Sequence, residues 1–308
     1  MMLNLVLRLL FRGVAQPGRA PGSGPGGRWF ESTRPDHPLG WILLLLLCFP
    51  AIAETPVFHE GFEGPLQSQW HHGINGDGDP LRRQNDPRAI AAAGLVSIVD
   101  HPVRAGSHAI RFEVPHKPGS FRSEIALSSV PLFSDYWYGF SIFIPEGWMD
   151  DPQEGDIVAQ WHGSYGEGKK QFKVEGDGKG RPPVALALHA DRWELAINSS
   201  DAIVKDAKDW GNYQTKREKS DLGKFRKGVW TDWVFHMHWS YKSDGLVEIW
   251  QNGRQVLTHR GPNCYNDPNG PYFKIGIYHP SWKKFTPGPI PAKVIYHDEI
   301  RVADHPLK

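Results

Sequence analysis

The 308 residues carry 35 Lys and Arg against 34 Asp and Glu, a formal charge of +1, so no global basic field speaks for a nucleic-acid protein. Two cysteines, Cys48 and Cys264, are too few for a disulfide framework, and the chain is long enough to bury a substantial core without one.

In chain order, residues 1–40 read as a leader rather than as domain material. Residues 13–28 are rich in Gly, Pro and Arg and have no apolar period, which fits disorder or a start codon assigned too early. Arg34, the apolar run 41–49 and Ala51-Ile52-Ala53 supply the positive region, apolar core and small-residue ending of a secretory signal. Residues 41–53 are therefore expected to be removed, with cleavage near Ala53 leaving a secreted or periplasmic protein. The apolar run is too short for a transmembrane helix. Taking five Arg, Glu31 and Asp36 away with residues 1–53 leaves 30 basic and 32 acidic residues, with Cys264 as an inert thiol.

Residues 54–308 predict one all-β domain. Strands are expected at 57–62, 94–99, 108–115, 120–127, 137–144, 156–162, 184–190, 192–198, 231–241, 246–251, 255–259, 272–279 and 293–302. A short helix at 201–209 is the one helical candidate. Short strands with recurrent Gly, Pro, Asn and Asp turns favour a sandwich or β-jelly roll of two antiparallel sheets over an α/β fold. Asp244-Gly245 and Asn252-Gly253 accept positive φ and mark the hairpins of a meander over 231–259. Within it Trp233, Phe235, Met237, Trp239 and Tyr241 form a core face, alternating with Val234, His236, His238 and Ser240 on a solvent surface or groove wall. The long stretches 64–93, with Trp70, Asp77 and Asp79, and 163–183, with Lys169, Lys170, Lys173 and Lys179, read as binding loops or as disordered segments.

Three strands carry the chemistry. In Tyr272-Phe273-Lys274-Ile275-Gly276-Ile277-Tyr278-His279, period two sends Phe273, Ile275 and Ile277 to the core. Tyr272, Lys274 and Tyr278 go to the other face, with Gly276 expected to keep space open between them. In Phe121-Arg122-Ser123-Glu124-Ile125, Arg122 and Glu124 share a face; in Ala159-Gln160-Trp161-His162, so do Gln160 and His162. Together they offer a cation, an amide, an imidazole and a phenol, without an obvious pair of catalytic acids. That set suits β-elimination from an O4-linked uronate. Arg122 and Gln160 would neutralise the carboxylate as charge spreads into an enolate-like transition state, and His162 and Tyr278 would move the protons. Glu124 brackets Arg122. Tyr272, Lys274, His279 and Lys173 complete the expected substrate contacts.

These stretches resemble the signature strands of β-jelly-roll polysaccharide lyases: the R-[ST]-E, Q-[IV]-H and Y-F-K-x-G-x-Y motifs of the alginate lyases. The layout over 57–303, with QWHG and YFKIGIYH, looks closer to the heparin-lyase-I-like and glucuronan-lyase branch. The resemblance implies a β-jelly roll with a concave substrate cleft, an anionic polysaccharide substrate and no cofactor needed for chemistry. A monomer is expected, and the charge balance speaks against a nucleic-acid partner. Tyr278 matches the tyrosine usually catalytic in the alginate enzymes. It also implies a structural calcium outside the cleft, with Glu63 and Asp298 as candidate ligands. Tyr278-His279-Pro280 departs from the alginate Y-N-Q, and Pro280 should end the ladder; His279 points opposite Tyr278 unless a bulge turns it. A noncatalytic carbohydrate-binding module and a glycoside hydrolase stay open as alternatives. The hydrolase would need two flanking carboxylates, for which Glu124 and Glu175 are the candidates.

Overall fold

The structure, a computed structural model, describes residues 57–70, 95–151, 153–163, 181–203 and 215–307. The readings of residues 1–53, of Lys173, Glu175, Asp77 and Asp79, and most of the 201–209 helix fall outside these residues. The first strands are β1 (Phe58–Glu60), β2 (Val96–Val99), β3 (Ala109–Pro115), β4 (Arg122–Ser129), β5 (Asp135–Phe143), β6 (Asp156–Gly163) and β7 (Val184–His189). They continue with β8 (Arg192–Ile203), β9 (Lys216–Lys224), β10 (Trp230–His238), β11 (Leu246–Gln251) and β12 (Arg254–Arg260). The last are β13 (Tyr265–Asn266), β14 (Pro271–Tyr278) and β15 (Ala292–Ala303), with a 3-10 turn at Pro280–Lys283. No helix among the described residues is long and apolar enough to cross a membrane.

The strands form two sheets. One of eight runs β12-β11-β10-β5-β15-β3-β2 with β1 beside β15; one of seven runs β13-β8-β7-β6-β14-β4 with β9 beside β8. All pairings but β13 with β8 are antiparallel. This is the two-sheet sandwich that the turn spacing predicts. Strands β9 and β13 were not expected. The sequence of β9, KREKSDLGK, offers only Leu222 to the core. Such a charged strand lacks the apolar alternation used to find strands, and suits a sheet edge because it discourages further pairing.

The core lies between the sheets, and the motif strands are pinned to it by their alternate residues. Trp161, between Gln160 and His162, is fully buried; its ring lies 4.9 Å from those of Phe273 and Phe235 and 5.1 Å from Tyr138. Burying an aromatic of this size stabilises by about 2–3 kcal/mol and sets the side from which its neighbours project. Trp70 is also core: fully buried, it lies edge-on to Phe58 and donates from Nε1 to Glu60. His236 and His238 stand on the outer face of the eight-stranded sheet, so they are not a wall of the site on the other sheet. His236 stacks on Trp137 at 4.3 Å and pairs with Glu248 and Asp135, which also holds His238. Cys264 is buried, which pushes its thiol pKa up and leaves it inert.

His297 on β15 is fully buried, edge-on to Phe112, and among the described residues neither ring nitrogen makes a well-formed hydrogen bond. Burial, opposed only by the nearby Gly276 backbone, lowers its pKa from 6.5 to about 3. The folded state thus keeps the ring neutral where the unfolded chain binds a proton. Its contribution to stability is intact above pH 6.5 and is lost as the pH falls toward 3, by up to ~1.4 kcal/mol per pH unit. Replacing His297 by Leu should shrink the difference between urea midpoints at about pH 7 and about pH 4.5. An unchanged difference would mean that the ring is not held neutral.

Candidate functional site

The site is built on β14 and its two neighbours. β14 pairs with β4 through Lys274 and Ala126, Gly276 and Glu124, and Tyr278 and Arg122. It pairs with β6 through Tyr272 and His162 and through Lys274 and Gln160. Phe273, Ile275 and Ile277 are buried in the core as expected. The three motif strands therefore share one sheet, and their polar residues share its outward face.

At the centre is a buried hub. Lys274 Nζ donates to Glu124 Oε2 at 2.7 Å, and the Gln160 amide donates to Glu124 Oε1. Glu124, Gln160 and Lys274 are each 2% exposed. Burial holds the Lys274 pKa below its usual value, opposed by Glu124 and reinforced by Arg122. At that exposure none of the three, including Gln160 that was expected at the substrate carboxylate, has surface left for a sugar. The structure moves them from substrate contacts to a support beneath the face.

Arg122 is placed differently. Its guanidinium lies 4.6 Å over the Tyr278 ring and 4.8 Å over Phe121, and 4.0 Å from Glu124 Oε2, whose lone pairs already serve Lys274. Its buried Nε has no acceptor. A half-buried cation with unspent donors is a receptor for an anion. Lys283, in the turn after β14, lies 5.7 Å from the same Tyr278 ring. Sequence reading passed over it, because only the turn at Pro280 brings it back.

His162 is half-buried, 5.6 Å from the Tyr272 ring. Burial, then the charge of Lys274 and more weakly that of Arg122, lower its pKa to about 4, against the Gly163 carbonyl and Glu124. Nδ1 lies 3.0 Å from the Gly163 carbonyl oxygen, which can only accept. Nδ1 therefore carries the proton of the neutral ring, and Nε2 carries the lone pair. Burial also pushes the Tyr272 phenol up, so it stays protonated.

Two expectations are corrected. His279 does not reach this face: it is fully buried, with Nδ1 2.8 Å from Asp156 and Ser281 Oγ 3.0 Å from Nε2. Asp156 in turn pairs with Lys293 of the opposite sheet at 2.8 Å. The turn at Pro280 leaves His279 on its ideal strand parity, opposite Tyr278. Gly276 serves the backbone rather than a ligand. Its φ is +131°, and a Cβ there would lie 2.7 Å from the Glu124 Cα and closer still to the Ser123 carbonyl.

The proposed calcium ligands are engaged elsewhere. Glu63 accepts from the Ser107 and His108 amides and faces the His108 ring; Asp298 accepts from the Arg104, Ala105 and Glu299 amides. Their oxygens meet N–H donors that a cation would have to displace. Among the described residues no group of three or more His, Cys, Asp or Glu could hold a metal. The residues do not fit the ion as they stand, and no step below uses one.

The two-sheet antiparallel sandwich, with a cation, an imidazole and two phenols on one outward face, has the architecture of a β-jelly roll. Solved structures share the fold. An endo-β-1,4-glucuronan lyase from the fungus Trichoderma reesei superposes with a TM-score of 0.63 at 18% identity, over 81% of this chain and 95% of that one. Alginate lyase A1-II′, of polysaccharide lyase family 7, gives 0.50 at 12% identity over 77% and 94%. The model of the polysaccharide lyase family matches residues 66–301, and the chain belongs to that family. It is a lyase. No curated protein matches it.

Proposed function

We propose that the protein cleaves a 4-O-linked, uronate-containing polysaccharide by β-elimination. The reading is carried by the Arg122 guanidinium, which lies against Tyr278 with its donors unspent while Glu124 is consumed by Lys274 and Gln160. The uronate carboxylate pairs with Arg122, which stabilises the charge that develops as H5 leaves. His162 Nε2 takes the C5 proton. The C5–H electron pair becomes the C4–C5 double bond, the C4–O4 bond breaks, and O4 takes a proton from the Tyr278 hydroxyl. Residues 41–53 support export, with cleavage near Ala53, to where such polymers are met.

The test is incubation of residues 54–308 with a panel of uronate polymers, following the ultraviolet absorbance of the conjugated unsaturated end. A rise with one polymer, reduced ~10²–10⁴-fold in kcat by Tyr278→Phe and by His162→Ala in folded protein, supports the reading. New reducing ends without absorbance would make the protein a hydrolase, and binding without either a carbohydrate-binding module. A pH profile separates the roles. With its pKa at about 4, His162 is uncharged and basic above that value and loses activity only below it. The acid limb of kcat/KM should therefore fall near pH 4 rather than near 6.5. A limb near 6.5 would remove His162 as the base.

A further inference from the structure

The face that carries His162 continues across the sheet. Gln160 pairs with Ala185, Ala185 with Ala196, and Ala196 with Lys219, so one row from Lys274 reaches the edge strand over two alanines. The neighbouring row starts from Tyr272 and His162. It continues past Pro183, whose carbonyl accepts from the Asn198 amide, to Arg217 opposite Asn198. Three strand spacings, ~14 Å, separate β6 from β9.

Most cations at this edge are already paired. Arg192 holds Asp221, Lys216 holds Glu218, Lys219 holds Glu194 and Lys224 holds Asp191, at 2.5–2.7 Å. Arg217 has no carboxylate within ion-pair distance among the described residues. Desolvation, and then the like charge of Arg181, lower its pKa. Between these groups and His162, the buried Asn198 donates to the Pro182 carbonyl and so fixes the chain next to Arg181. Arg217, exposed and without a carboxylate partner among the described residues, has donors for an anionic sugar, and Arg181 adds a like charge nearby.

We propose that Arg217 and Arg181 form a second anion subsite on this face, which grips the carboxylate of an acidic sugar several units from the bond that breaks. The inference rests on the elimination reading and adds a preference for long acidic chains. In the test, Arg217→Gln is compared with wild type on the polymer and on the shortest oligosaccharide that is cleaved, with Lys224→Gln, at the far end of the same strand, as control. The expected result is a KM for the polymer raised roughly tenfold. The kcat, the kinetics on the shortest substrate and the control should all stay unchanged. A polymer KM that does not move, or that rises equally for the shortest substrate, overturns the subsite while leaving the lyase reading intact. Should wild type eliminate nothing, that reading fails, and calorimetric titration of a uronate polymer decides the subsite. Weaker binding by Arg217→Gln supports it, and equal binding overturns it.

Discussion

Replacing Glu124 by Leu should destabilise the protein by about 3–5 kcal/mol, because it leaves the Lys274 ammonium buried with no counter-charge. Lys274 and Glu124 are both 2% exposed and 2.7 Å apart, so neither side chain can turn to water when the other is removed. The pair itself is not strongly favourable, since desolvation offsets most of the attraction. A double replacement, Glu124→Leu with Lys274→Met, should therefore recover most of the lost stability. It should not recover activity: the Gln160 amide loses its acceptor, and Arg122 loses the carboxylate of Glu124 at its side. Urea unfolding of the single and double variants gives the coupling directly. Because the Lys274 pKa is already held below normal, the single variant's deficit should shrink at alkaline pH, where the amine gives up its proton. A deficit under about 1 kcal/mol at neutral pH would mean that the hub is hydrated, and the account of Glu124 as consumed by Lys274 and Gln160 would fall with it.

Gly276→Ala should cost about 3 kcal/mol or more. The φ of +131° is strained for any residue with a Cβ, and the added methyl would overlap the β4 backbone at Ser123 and Glu124. Relief requires β4 and β14 to part where Arg122 faces Tyr278 and Glu124 meets Lys274. Activity should therefore fall even in the fraction that folds. Gly64→Ala, where an added Cβ meets nothing within 4 Å, is the control and should be near neutral. A Gly276→Ala protein with wild-type midpoint and kcat would show that the strands separate freely and that the glycine has no such duty.

Much of this molecule follows from period two, which is a local property of the chain. The alternation of β14 and β10 sorts core from surface without knowledge of any partner, and the motif strands, their shared face and the sandwich follow from it. The order in which strands pair is not local. Because Lys274 sits between Ala126 and Gln160, Glu124 reaches both the ammonium and the amide and sinks beneath the face. No spacing in the sequence announces that. His279 was legible by parity alone, yet its partners Asp156 and Lys293 lie on strands of opposite sheets, and only packing unites them. Strand β9 was invisible because a charged edge strand gains its hydrogen bonds from β8 rather than from an apolar stripe of its own. The sequence alone determined which residue types carry the chemistry and which face each one takes. Register and the approach of backbones decided which charges are spent on one another, as Glu124 is on Lys274, because long-range pairing energies depend on distances that no stretch of chain contains.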